Sequence, residues 1–129
     1  SLYASRFKDS DSMDGLDLRW PVSEPGTQHV FHQYVVEVAP GIRDDLVSFL
    51  REAGVACAIY YPKGLHTQGF LGPYRHQPGS FPNAEAACKS TLALPIFPGI
   101  TEEELNYVVD QIAHFAAQKR NESMVALSV

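Results

Sequence analysis

Cysteine is scarce in this chain. Cys57 and Cys88 are the two in 129 residues, and they form neither a C-x-x-C pair nor any other tetrahedral metal spacing. A zinc-ribbon or disulfide-framework protein is thereby excluded. Each sits in apolar company, VACAI and AEAACKS, so both read as small core hydrophobes in a protein of the reducing cytoplasm. Positive charge is also short: 10 Lys and Arg against 15 Asp and Glu leave a net charge of −5. A reader of phosphate backbones needs clustered cations, so neither nucleic acid nor an anionic membrane surface is expected as partner. Apolar runs stop well before the roughly 20 residues of a spanning helix. The polar opening SLYASRFKDSDS is not a signal peptide. The chain opens on Ser1 instead of Met, which fits either a removed initiator or a chain trimmed from a longer one. Repeats, charge blocks and long linkers are missing too, so residues 1–129 read as a single domain. A chain of this length buries about two-thirds of its unfolded surface, enough for an ordinary core.

The elements follow from periodicity. Residues 1–14 read as an N-terminal arm or helix remnant, with Leu2, Tyr3 and Phe7 as its apolar stripe. Leu16, Leu18 and Trp20 alternate as a short strand that Pro21 confines to an edge. HVFHQYVVEV, residues 29–38, is the clearest strand, its core face assigned to His32, Tyr34, Val36 and Val38. Ile42, Leu46, Phe49, Leu50 and Ala53 make a helical stripe closed by Gly54. Residues 55–61 follow as a second apolar strand, and 71–80 as a Gly/Pro loop. Pro82 opens a short helix whose small residues Ala84, Ala87 and Cys88 would let it pack closely. TLALPIF, residues 91–97, is a third strand broken by Pro95, and Thr101 with Glu104 makes a capping box. Leu105, Val108, Val109, Ile112, Phe115 and Ala116 carry the last helix for about four turns. Residues 120–129 are assigned to a C-terminal tail. The fold class expected is α+β: a small antiparallel or mixed sheet of three to four strands with two to three helices packed on one face. Residues 91–94 would lie antiparallel between the strand before Pro40 and the one after Gly54, in a split βαβ unit.

The richest stretch chemically is AIYYPKGLHTQGF, residues 58–70, which crowds Tyr60, Tyr61, Lys63, His66, Gln68 and Phe70 onto an irregular segment. Binding groups concentrate on such segments because a rigid scaffold can aim them. Tyr60 and Tyr61, with Phe70 and Tyr74, offer faces for stacking a sugar or a base, although of two adjacent strand residues one is expected in the core. A metal site is not expected. His29 and His32 fall on opposite faces of a strand, and His66 with His76 lacks accompanying acidic or thiol ligands. A Cys57/His66 nucleophile pair is disfavoured because an apolar strand raises a thiol's pKa and hides it. His114 reads as a half-exposed helix residue.

Four stretches, HVFHQYVVEV, RDDLVSFLREAGV, YYPKGLHTQGF and FPNAEAACKSTLALPIFPGITEEELNYVVDQI, together resemble the C-terminal small domain of the DegT/DnrJ/EryC1/StrS sugar aminotransferases. DLRWPVSEPGTQ resembles the connector that leads that family's large domain into the first of them. The resemblance implies an aspartate-aminotransferase fold and pyridoxal phosphate as cofactor in the full-length family. It also implies that Tyr61 and His66 lie on the substrate-facing side and help receive a nucleotide-sugar. The Schiff-base lysine, the pyridinium partner and the phosphate loop belong to the family's large domain, and nothing resembling that domain occurs here. No cofactor is therefore expected on this chain alone, and no catalytic residue is assigned. The family usually carries YPVPLH where this chain has YPKGLH, which predicts a looser loop at Gly64. The expected function is a stand-alone or excised small domain, not catalytic by itself, acting as a homo-oligomer, most simply a dimer, or with a separately encoded partner. The alternatives are a nucleotide-sugar binding module built on residues 58–70, and an independent enzyme using His66.

Overall fold

The computed structural model describes residues 2–8, 13–74 and 76–126. Ser1, the side chain of Leu2, residues 9–12, Arg75 and the last three residues of the expected tail lie outside the described residues. Helix α1 spans Leu2–Lys8, strand β1 Tyr34–Glu37, helix α2 Arg43–Glu52, helix α3 Pro82–Ser90, strand β2 Thr91–Leu94 and helix α4 Glu102–Ala126.

β1 and β2 pair antiparallel, Tyr34 opposite Leu94 and Glu37 opposite Thr91. Single antiparallel bridges extend the sheet at both edges, Arg19 with Glu37 and Ala58 with Ala93. β2 therefore lies between β1 and the segment after Gly54, antiparallel to both, as the split βαβ reading requires. The α+β class stands, with one bridge at each edge in place of a full third and fourth strand. Two backbone features explain the shortfall. Asp17 has φ 47°, which interrupts the alternation of residues 15–22. Phe31 also has φ 47°, its N–H donated to His29 Nδ1 at 2.9 Å, so the chain is not extended until Tyr34. β2 then runs into Pro95, which has no N–H to continue the ladder. His32 consequently stays exposed, while Tyr34, Val36 and Val38 face the core as expected.

The helices close over that face, α2 and α1 each packing on α4 and α2 on β2. Leu46, Leu50, Leu92 and Ile112 are at 0% exposure. Full burial of such side chains stabilises by about 1.5–3 kcal/mol each. α2 ends as its sequence predicts: Gly54 takes φ +79° and donates its N–H to the Arg51 carbonyl. Arg43, buried at the start of α2, donates from Nη1 to the Thr91 carbonyl at 3.1 Å and tethers this helix to β2. The capping box forms: Glu104 N–H donates to Thr101 Oγ1 at 3.1 Å, and Thr101 N–H to Glu104 Oε2 at 2.8 Å.

A helix forms at Leu2–Lys8 within the arm expected at residues 1–14, and the stretch assigned to a tail from residue 120 is helical as far as Ala126. α1 docks on the chain's own core, with Tyr3 and Phe7 buried and the Tyr3 hydroxyl donating to the Pro95 carbonyl at 2.8 Å. Burial pushes the Tyr3 phenol far above its ordinary range. At the other end, α4 continues to Ala126, past the four turns expected. Lys119 does not close the helix. It reaches Asp45 of α2 at 3.0 Å and Glu122 at 3.2 Å. α3 also departs from prediction, since Ala84 and Ala87 are exposed and Ser90 is its buried residue. Methyl groups this small bury little area and draw no helix onto themselves.

Candidate functional site

Residues 60–74 and 76–81 form an arm that leaves the core and returns into α3. Pro62, Gly64, Gly69, Gly72 and Pro73 deny the segment a helix or strand of any length. It folds instead into short 3-10 turns, one at Leu65–Thr67 and two more within Gly69–Tyr74 that meet at a kink at Gly72, φ 52°. Thr67 closes the first turn twice, with its N–H at 3.0 Å and its hydroxyl at 2.9 Å from the Gly64 carbonyl. Lacking a stripe that could face the core, the arm shows its apolar residues to solvent: Tyr61 is 72% exposed, Leu65 69%, Phe70 76% and Tyr74 80%. Tyr60 and Tyr61 pack edge to face with ring centroids 6.0 Å apart. Neither is in the core, contrary to the expectation for one of them, because the strand they were placed on shrinks to a single bridge at Ala58.

His66 is the inward-facing member of the arm, its side chain 9% exposed. Its Nε2 lies 3.1 Å from Glu85 Oε1 on α3. The same oxygen accepts the Gly79 N–H at 2.7 Å and the Phe81 N–H at 3.4 Å. The Gly79 N–H, more than any other neighbour, holds the Glu85 carboxyl below the usual carboxylate range, and the His66 imidazole adds to it against some loss of solvation. His66 and His76 come together as rings on Phe81, at 4.9 and 5.2 Å, and the His76 N–H donates to the His66 carbonyl. Among the described residues no group of three or more His, Cys, Asp and Glu side chains is placed to hold a metal ion.

Lys63, Gln68 and Phe70 belong to the arm, with Lys63 and Phe70 exposed and Gln68 half-buried. Tyr60 lines a cleft of about 290 Å³ on the sheet together with His32, Gln33 and Ala58. A more apolar groove of about 370 Å³ lies between Val55, Phe97, Ile100 and Tyr107 and shares no residue with the arm. Cys57 is half-buried with Sγ 3.8 Å from the Val47 carbonyl, and burial pushes its thiol up, as the apolar strand predicted. His29 stacks on Phe31 at 4.2 Å, and His114 meets Phe49 edge-on at 5.8 Å. Glu85 was not singled out by sequence. Its signal is an acidic residue in the first turn of a helix that opens on Pro82, where a carboxylate can reach back to the N–H groups of the preceding turn.

Pyridoxal phosphate needs a lysine for its Schiff base, a carboxylate for its ring nitrogen and a phosphate cradle. The lysines here do not fit that demand. Lys8, Lys63 and Lys89 are exposed on the surface, and Lys119 is committed to Asp45 and Glu122.

Comparison with known proteins agrees with the architecture. The profile of the DegT/DnrJ/EryC1/StrS aminotransferase family matches residues 1–113. A pleiotropic regulatory protein of Geobacillus stearothermophilus is 45% identical over 95 residues, covering 74% of this chain and 25% of that protein. The UDP-N-acetyl-3-dehydro-alpha-D-glucosamine 3-aminotransferase of Acidithiobacillus ferrooxidans is 36% identical over 97 residues, with 74% of this chain and 25% of the relative covered. In three dimensions, DesV of S. venezuelae, solved with a ketimine intermediate, superposes with a TM-score of 0.76 at 28% identity, covering 89% of this chain and 30% of DesV. The chain thus spans about a quarter of the length of these curated relatives. With the profile running from the first residue into α4, the chain belongs to the DegT/DnrJ/EryC1/StrS aminotransferase family.

Proposed function

We propose that this chain works as the small domain of a nucleotide-sugar aminotransferase, one wall of a site whose pyridoxal phosphate and Schiff-base lysine lie outside these 129 residues. On its own it is an oligomerising or partner-completing unit, most simply a homodimer, and performs no transamination. The observation that carries this reading is the arm: Tyr61, Leu65, Phe70 and Tyr74, three of them aromatic, are all more than two-thirds exposed within one short segment. Apolar patches of that kind mark interaction surfaces. Tyr61 and His66 keep the substrate-side role that the family resemblance gives them. Tyr61 meets the ligand, and His66, whose Nε2 is committed to Glu85, shapes the wall behind it. That commitment is why acid–base catalysis by His66 alone forms no part of the proposal.

Sedimentation equilibrium tests the oligomeric half. The parent chain is expected to associate, and the triple variant Tyr61→Ser, Phe70→Ser, Tyr74→Ser to sediment as a monomer. A parent chain that stays monomeric at high concentration removes this half. A second reading, a nucleotide-sugar binding module, is favoured by the Tyr60 cleft beside the arm. A ligand at a hundredfold excess over its Kd stabilises the native state by about 2.7 kcal/mol. Flat melting curves across a nucleotide-sugar panel exclude that reading.

A further inference from the structure

We propose that Glu85 is the positioning residue of the arm: one carboxylate oxygen, shared by the Gly79 and Phe81 N–H groups and by His66 Nε2, keeps the imidazole proton on Nε2 and holds residues 64–81 in the shape that presents Leu65, Phe70 and Tyr74 outward. The inference stands on this chain's own contacts, whether or not the arm meets a ligand. An ionised carboxylate is an acceptor only, so the hydrogen on the His66–Glu85 line belongs to Nε2. Three donors on one oxygen tie together the 3-10 turn at Leu65–Thr67, the turn at Gly79 and the first turn of α3, which have no strand or core stripe in common. Charge-assisted bonds of this kind outweigh neutral ones.

Gly64 makes the arrangement sterically attainable. Its backbone, φ −60° and ψ 140°, suits any residue, proline included. A Cβ there would lie 2.5 Å from His66 Cε1 and 2.8 Å from Nδ1, so a side chain at this position pushes the ring off Glu85. The space left by the missing side chain is filled by the histidine.

The titratable groups that face Glu85 are His66 on the arm, His76 across the Phe81 ring, Lys89 on its own helix and Glu37 of β1 in the adjoining cleft. A carboxyl held below its ordinary value contributes its full hold above that value, about pH 4.3. The hold is lost as pH falls through the lower folded value. Hydrogen exchange and histidine ¹⁵N NMR on the full chain test the proposal, with the α4 amides as reference. At pH 8.5 the parent should show the His66 proton on Nε2. Glu85→Ala should lose that preference and about tenfold of the protection of the Thr67, Gln68 and His76 amides. Glu85→Gln should keep much of the arm's order near neutrality and lose its acid-dependent loosening. Gly64→Ala should lose the Nε2 signature while the Gly79 amide stays protected by Glu85. The proposal is overturned if Glu85→Ala leaves arm protection within about twofold of the parent with the proton still on Nε2. It is equally overturned if Glu85→Gln keeps the parent's acid profile. Should Glu85→Ala unfold α4 as well, Glu85→Gln and Gly64→Ala decide the matter on the same readouts.

Discussion

The core and the arm hold similar numbers of aromatic rings and use them oppositely. Tyr3, Phe7, Tyr34 and Phe115 are all within 4% exposure, each on a helix or strand that aims it at a partner, as Tyr3 meets Tyr34 at 4.8 Å. Tyr61, Phe70 and Tyr74 sit on a segment cut by proline and glycine, so no period brings them to one face, and they stay in water. The core rings fold this chain. Those of the arm are an apolar surface that folding leaves unused, held in place by polar contacts to Glu85.

Substitutions should separate the two regions sharply. Ile112→Ala, at 0% exposure, removes three methylene-equivalents from the centre of α4 and should cost about 2–5 kcal/mol in urea unfolding. A loss under about 1 kcal/mol would mean that the helix layer is loosely packed. Thr101→Ala removes the capping hydroxyl of α4 and should cost about 1 kcal/mol. The Thr101 N–H holds the Glu104 carboxyl below the ordinary range. The stability this lends is complete above the usual glutamate value and disappears as pH falls through the lowered one. Thr101→Ala keeps the N–H and removes only the bond that the Thr101 hydroxyl donates to Glu104 Oε2, so the gap between variant and parent should narrow slightly in acid, which urea titrations at pH 7 and pH 3 can measure. Measured below the concentration at which the chain associates, Phe70→Ser together with Tyr74→Ser should move stability by no more than about 0.5 kcal/mol, because both side chains are exposed in the single chain. A larger loss would place these rings in the folding unit and dissolve the contrast between the regions.

The core elements were legible because each carries its own local signal. The i, i+4, i+7, i+8 stripe placed α2, Gly54 closed it, Thr101 and Glu104 opened α4, and Pro82 opened α3. The family pattern was legible as well, in four stretches in order. The misplacements share a cause: they needed a neighbour to be known. Residues 29–33 have strand composition, yet β2 stops at Pro95 and leaves them no partner. Ala84 and Ala87 look like a packing face, yet among the described residues they stay exposed. Of the candidate site, the crowding at residues 58–70 was visible, while the direction each side chain takes was not.

Periodicity and capping residues, both short-range properties of the chain, determined by themselves the α+β class, both ends of α2 and the starts of α3 and α4, and the resemblance of four stretches carried the family. Tertiary structure alone decided that His66 turns inward and Tyr61 outward. That choice depends on Glu85, 19 positions further along, and on the empty volume above Gly64, and neither a distance across the fold nor a free volume is written in local sequence.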